Sequence, residues 1–272
     1  MRDLERWAAQ SRLWNLCKQA GIAPAIATLY WHAKLALHLW SVPVTVGGYT
    51  VEFATDSRTE YSRVTSLVGE QPVIESLLND VRESDVVYDI GANIGTHTCF
   101  VGKRLDSGVV VAFEPMPTNA IRLRHNLSAN VPVSRWDIAE FALSDEDGAG
   151  SLAVESRNYG EGKHALSVDG ELEIDVFQGK TLVETGRYPA PDILKIDVEG
   201  AELQVLRGFD DILSDVRVVY AELHHELSEQ YDTSTAEIEA YLREHGFDVE
   251  RLSERSDAYH IRAVNSRGTE PK

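Results

Sequence analysis

Fifteen residues constrain the fold of this chain more than any others: VVYDIGANIGTHTCF, Val86 to Phe100. Val86, Val87 and Tyr88 form a short apolar run suited to a buried strand, and Asp89 ends it. Gly91, Ala92, Asn93, Ile94 and Gly95 supply a turn. Its glycines let the backbone bend tightly and let a ligand approach without a Cβ in the way. Thr96, His97 and Thr98 then open a helix. A strand, glycine turn and helix in that order present backbone N–H groups and a positive helix end to a bound molecule.

The spacing narrows the ligand. A dinucleotide fingerprint reads G-x-G-x-x-G, whereas this turn reads G-x-x-x-G with no third glycine. That disfavours a nicotinamide-dependent oxidoreductase. An acidic residue two positions before Gly91 suits a cation better than a pyrophosphate, and S-adenosylmethionine carries an ammonium and a sulfonium but no phosphate. Taken alone, such a turn also fits a purely structural role. The next segment adds a second signal. Val109 to Phe113 is β-branched and ends in Glu114-Pro115, and Glu114 follows Gly91 by 23 positions. A carboxylate at the end of the second strand of a βαβ unit can accept hydrogen bonds from both ribose hydroxyls.

The remaining chain reads as an N-terminal extension over 1–70, an α/β domain over 71–264 and a polar tail over 265–272. Pro24 to Trp40 carries an apolar stripe at helical spacing: Ile26, Leu29, Ala33, Leu37, Trp40. It is too short and too polar for a membrane span. It is expected to dock on the domain, on a second subunit or, as an interfacial helix, on a membrane surface. Ser41 to Asp56 alternates around Gly47-Gly48, a hairpin signal. Arg58, Glu60, Tyr61 and Arg63 receive no element; they either cover the site or lie on the surface. Strands are then expected at Val86–Asp89, Val109–Phe113, Trp136–Ala142, Ile193–Val198 and Val216–Leu223. Helices are expected at Pro72–Asp80, Thr96–Leu105, Thr118–Ala129, Gly200–Leu206 and Ser234–His245. Asp145–Gly150 reads as a polar turn, with short extended runs at Ser151–Glu155 and Glu171–Phe177. Phe247–Leu252 and Ala258–Val264 close the chain as a hairpin. Alternating β and α units argue for a mostly parallel sheet with helices on both faces. Ligands bind such sheets at the carboxyl ends of the strands, where Asp89, Glu114, Asp197 and Glu222 gather.

With 26 basic against 44 acidic residues the net charge is −18. That field opposes a nucleic-acid partner. An acidic, lysine-poor yet well-patterned chain points to a halophilic protein of a high-salt cytoplasm, where repulsion is screened. Cys17 and Cys99 form no recognisable metal or disulfide pattern, and the first ten residues lack a signal-peptide core. A reducing, cytoplasmic setting follows, with membrane association left to the 24–40 stretch.

DIGANIGTHT, the FEP at Phe113–Pro115, ALSDEDG at Ala142–Gly148 and above all LKIDVEGAELQVLRG at Leu194–Gly208 resemble the FkbM-type family of S-adenosylmethionine-dependent methyltransferases, from about Tyr88 to Leu223. The resemblance implies a class I methyltransferase (Rossmann-like) fold: a seven-stranded, mostly parallel sheet with a C-terminal antiparallel hairpin. It implies that Asp89, Gly91, Ala92, Asn93 and Gly95 hold the methionine part of S-adenosylmethionine, with S-adenosylhomocysteine as product. Glu114 takes the ribose hydroxyls, Met116 lies against the adenine, and Ala142 and Leu143 border the adenine pocket. Asp197, Glu199 and Gly200 sit near the transferred methyl. Thr181-Leu182-Val183-Glu184 stands where the family often has Leu-Asp-Asp, so no role is carried over for that loop.

Methyl transfer from a sulfonium is an in-line displacement, so the protein mainly positions the acceptor and excludes water. A hydroxyl acceptor also needs a base. Asp197, Glu222 and His224 are the candidate catalytic residues, with His164 on a nearby loop. Glu222 and His224 alternate along a strand end and share one face. Those three side chains can also ligate a divalent cation, but no metal is assigned. The expected activity is O-methylation of a hydroxyl on a small molecule or glycan, including a lipid-linked one. The alternatives are an N- or protein-methyltransferase and a non-catalytic cofactor-binding protein.

Overall fold

The computed structural model describes residues 41–56, 58–67, 69–154, 164–166, 170–229, 231–254 and 257–266. The helix expected at 24–40, Cys17 and the tail beyond 266 lie outside them, as does the side chain of His164. The first element is a hairpin, β1 (Ser41–Val46) and β2 (Tyr49–Ala54), paired antiparallel around Gly47-Gly48. Both glycines have positive φ, 56° and 85°, as the favoured two-residue hairpin turn requires. Two helices follow, α1 (Arg58–Ser66) and α2 (Gln71–Asp80). Arg58, Glu60, Tyr61 and Arg63 all fall on α1.

Strands and helices then alternate: β3 (Val86–Ile90), α3 (Thr96–Arg104), β4 (Val109–Phe113), α4 (Pro117–Asn130) and β5 (Trp136–Ala139). An inserted β unit comes next, β6 (Ala142–Leu143), β7 (Gly148–Val154), β8 (His164–Leu166) and β9 (Leu172–Phe177). The chain returns through α5 (Gly179–Glu184) to β10 (Ile193–Ile196), α6 (Glu202–Arg207), β11 (Val218–His224), α7 (His225–Glu229), α8 (Thr235–Glu244), β12 (Phe247–Glu254) and β13 (Ala258–Asn265). Seven strands form one sheet in the order β12-β13-β11-β10-β3-β4-β5. Six run in one direction, and β13, between β11 and β12, is antiparallel to both. This is the class I methyltransferase architecture.

The central strands are apolar on both faces because helices cover both. Tyr88, Val111, Leu194 and Val219 pack with Leu203, Leu206, Ile238 and Leu242 on one face. Val87, Val110, Ile193 and Val218 pack with Val73, Leu77, Val101 and Leu105 on the other. The hairpin and α1 add a third cluster. Val44, Val51, Phe53, Tyr61 and Val64 pack against Ile94, Phe100, Leu123 and Leu127 of the glycine turn, α3 and α4.

Three sequence expectations change. Trp136–Ala142 is not one strand. The chain leaves the large sheet after Ala139, because Phe141 turns inward against Phe113 and Phe177, with ring centroids 5.7 and 4.8 Å away. Ala142 and Leu143 then pair with Val176 and Phe177 in a second, four-stranded sheet, β6-β9-β7-β8. The Asp145–Gly150 turn is shorter, since Gly148 already pairs with Val176. β10 ends at Ile196, which leaves Asp197 at the start of the connection to α6, its N–H still donating to the Ile90 carbonyl at 3.0 Å.

Candidate active site

At the carboxyl edge of the large sheet a cleft of about 710 Å³ opens between the β3, β4 and β10 exits and the small sheet. Its polar wall is Asn93, Glu114, Asn119, Asp197, Glu199 and Arg63, and its apolar wall includes Phe141, Ala142, Leu143 and Leu152. Of the residues singled out in the sequence, Gly91, Asn93, Glu114, Ala142, Leu143, Asp197 and Glu199 line it. Asp89, Ala92, Gly95, Met116, Gly200, Glu222 and His224 do not line it.

The glycine turn is fixed by the fold around it. Gly91 and Ala92 both donate to the Phe113 carbonyl, at 3.0 and 3.1 Å, tying the turn to the end of β4. Gly91 has φ 79°, and a Cβ there would lie 1.8 Å from the Asp197 carbonyl oxygen. Glycine is needed at this position because two loops meet, as well as for its backbone angle. Asn93 and Glu199 hold positive φ, 52° and 55°, a conformation that costs energy in residues other than glycine and gathers at functional sites.

Glu114 is 5% exposed. Its Oε2 accepts the Asn93 N–H at 2.7 Å and its Oε1 accepts the Met116 N–H at 2.9 Å. Burial outweighs those bonds and pushes its pKa up to about 7. Nearby, Asn93 Oδ1 is buried with no hydrogen-bond partner among the described residues. A buried carboxylate and an orphaned acceptor on one wall suit a ligand that brings hydroxyl or ammonium donors. This is the donor set of a ribose and a methionine amine.

Asp89 is 1% exposed and sits within β3 rather than at its end. It accepts the Thr98 hydroxyl and lies 3.2 Å from Lys195 Nζ. Lys195 bonds the Gly91 carbonyl at 3.4 Å and stands 3.6 Å from Asp197. Burial alone would lower the pKa of Lys195, but Asp89 and Asp197 together raise it, so it stays an ammonium. The sequence carries a signal for it: a lysine inside an apolar strand, in register with Asp89 on β3.

At the other end His224 is 5% exposed and ringed by carboxylates. Its Nε2 lies 3.3 Å from Glu199 and 4.0 Å from Glu222, and its Nδ1 lies 3.5 Å from Glu202. Burial works to lower its pKa. The nearby Glu202 carboxylate and the charges of Asp197 and Glu199 overcome that and push it up to about 9. With no cation bound, His224 is therefore an imidazolium at neutral pH, with no lone pair to act as a base. Glu222 does face His224, as the strand alternation requires, but it also pairs with His260 at 3.3 Å. His260 in turn meets Ser253 at 2.9 Å. A small crevice sharing Asp197 with the cleft is lined by His97, Lys195, Asp197, Glu222 and His260. As a potential ligand set, Asp197 and His224 are joined by Glu199 rather than Glu222, with ligand atoms within 4.8 Å of one another.

Residues 89–249 match the family described as Methyltransferase FkbM domain. The chain is 38% identical over 179 residues to the hexuronic acid methyltransferase AglP of Haloferax volcanii, covering 66% of this chain and 72% of that protein. It is 30% identical to the 31-O-demethyl-FK506 methyltransferase FkbM of Streptomyces tacrolimicus, covering 62% and 75%. Among solved structures, the magnesium protoporphyrin IX methyltransferase of Synechocystis with bound S-adenosylmethionine superposes with a TM-score of 0.47 at 12% identity, covering 78% of this chain and 87% of that one. Among the described residues no helix is long and apolar enough to cross a membrane. Matched over more than half its length by the family's domain, this chain belongs to the FkbM-type S-adenosylmethionine-dependent methyltransferases.

Proposed function

We propose that the chain methylates an oxygen of a sugar, and that the sugar is a uronic acid. One observation carries the reading: a single cleft joins Glu114, at the end of β4, to Asp197, in the loop after β10. The hexuronic acid methyltransferase relative supports the acceptor class. A lipid-linked glycan would give the apolar stretch at 24–40 a surface to rest on.

When bound, S-adenosylmethionine supplies a methyl group on a sulfonium that an aligned nucleophile displaces. Glu114, its carboxylate held by the Asn93 and Met116 amides, would accept the ribose hydroxyl hydrogens. Asn93 would accept from the methionine ammonium, and Phe141, Ala142 and Leu143 would border the adenine. Asp197 takes the proton of the acceptor hydroxyl on its carboxylate. Of the three candidate catalytic residues it alone lines the cleft; Glu222 and His224 act through the charge they set around it. Lys195, 3.6 Å from Asp197, holds Asp89 beneath the glycine turn.

Calorimetry in molar salt tests the cofactor half, with S-adenosylmethionine, S-adenosylhomocysteine and NAD in parallel. The first two bind and the third does not. Transfer of a labelled methyl group to glucuronides and galacturonides, with the matching neutral glycosides beside them, tests the acceptor half. Turnover confined to amines or proteins would overturn it.

A further inference from the structure

Three carboxylates, Glu114, Asp197 and Glu199, face the cleft, and the chain as a whole carries −18. That field draws in a sulfonium and repels an anion. Among the described residues lining the cleft, the one basic side chain is Arg63. Lys195 is buried behind the wall and held by Asp89 and Asp197.

Arg63 belongs to α1, outside the 89–249 span that carries the family match. α1 is firmly seated. Glu60, one turn before Arg63, is 1% exposed, pairs with Arg122 Nε at 3.0 Å and accepts the Asp56 N–H. Tyr61 and Val64 are buried in the cluster shared with α3 and α4. Arg63 itself is half-buried, where a charge-assisted pair is screened less than on the surface. A guanidinium has five N–H donors in a planar fork, so a contact within the protein leaves others for a ligand.

We propose that Arg63 is a carboxylate-binding subsite that receives the carboxylate of the acceptor and so selects an acidic sugar over a neutral one. The inference rests on the uronic acid reading above and names the residue responsible. Its location suits selectivity: the cofactor wall comes from the shared domain, while the cation comes from the segment preceding it.

The test uses the full chain in constant molar salt, comparing wild type with Arg63→Lys and Arg63→Gln. Calorimetry measures S-adenosylhomocysteine, methylthioadenosine (a nucleoside thioether with a methyl in place of the amino-acid chain and its carboxylate), and methyl glucuronide titrated into the S-adenosylhomocysteine complex. Methyl-transfer kinetics compare methyl glucuronide with methyl glucoside. Both variants should bind the two nucleosides as wild type does. Arg63→Gln should raise the Kd and KM for the glucuronide about 10- to 100-fold, the range of one lost charge-assisted hydrogen-bonding partner. Arg63→Lys should fall between, keeping the charge but losing the fork. The glucoside should be indifferent to both changes. Unchanged glucuronide affinity in Arg63→Gln, with wild type binding and methylating the glucuronide, overturns the proposal. Weakened S-adenosylhomocysteine with unchanged methylthioadenosine overturns it too, and moves Arg63 to the carboxylate of the cofactor. Failure of the uronic acid reading looks different: wild type transfers no methyl to any sugar acid, whatever residue stands at 63.

Discussion

The two ends of the cleft are built from different materials. At the Glu114 end the backbone does the holding: two main-chain N–H groups fix the carboxylate, and the glycine turn is tied by two more to the Phe113 carbonyl. At the Asp197 end side chains hold one another: Lys195, Asp89, Glu199, Glu202, Glu222, His224 and His260 form a run of close carboxylate–ammonium and carboxylate–imidazole contacts. Backbone donors come with the fold and change little with single substitutions. A side-chain charge network can be retuned one residue at a time. The first end is suited to a constant cofactor and the second to an acceptor and its deprotonation.

The sharpest way to break this contrast is Asp197→Asn. We expect turnover to fall about 10²- to 10⁴-fold, the usual contribution of a general base, with S-adenosylhomocysteine affinity nearly unchanged. Retained turnover would mean that the acceptor oxygen arrives already ionised, as a carboxylate does. Next comes Lys195→Met, which leaves Asp89 buried and without its cation. Breaking a buried pair from one side costs about 3–5 kcal/mol. Chemical unfolding in molar salt measures it, and a loss below about 1 kcal/mol would show that the network does not hold the turn.

The third prediction concerns pH. His224 is raised from 6.5 to about 9 in the folded chain, so its protonation favours folding. That contribution is complete below pH 6.5 and is lost as the pH rises through 9. The shift corresponds to about 3 kcal/mol. His224→Gln should flatten the fall in stability between pH 6.5 and 10, and an unchanged slope would place its cause elsewhere. The smallest effect belongs to the backbone-held end. Glu114→Ala should weaken S-adenosylhomocysteine by about 1–3 kcal/mol while the folded protein stays at least as stable. With its pKa raised to about 7, Glu114 loses its second hydroxyl acceptor as the pH falls through 7. Wild-type affinity should drop from pH 8 to 6, and Glu114→Gln should be insensitive over that range. An affinity loss shared equally by Asp197→Asn and Glu114→Ala would erase the distinction between the two ends.

Much of this molecule was legible in its residues because local rules and tertiary demands agree there. The Val86–Phe100 unit, Glu114 at the end of the next β-branched run and the C-terminal hairpin all read from period, turn chemistry and spacing. α1 was missed because Arg58–Ser66 is polar, with a stripe too weak to mark a helix. What fixes it is the Glu60–Arg122 pair and the packing of Tyr61 and Val64, contacts made with α4 far along the chain. The second sheet was hidden for a similar reason. Two-residue β6 has no period to detect, and it is set by pairing with β9 more than thirty positions later.

The sequence by itself determined the order of strands and helices, the glycine turn and which acidic residues reach the carboxyl edge of the sheet. These follow from hydrophobic periodicity and backbone stereochemistry, which act over a few residues. Only the tertiary structure decided which of those acids face the cleft and which are buried in ion pairs. Glu114 and Asp197 face it, while Asp89 goes to Lys195 and Glu222 to His260. The partner of a charge is settled by strand register and by desolvation, and both depend on residues that meet only when the sheet has assembled.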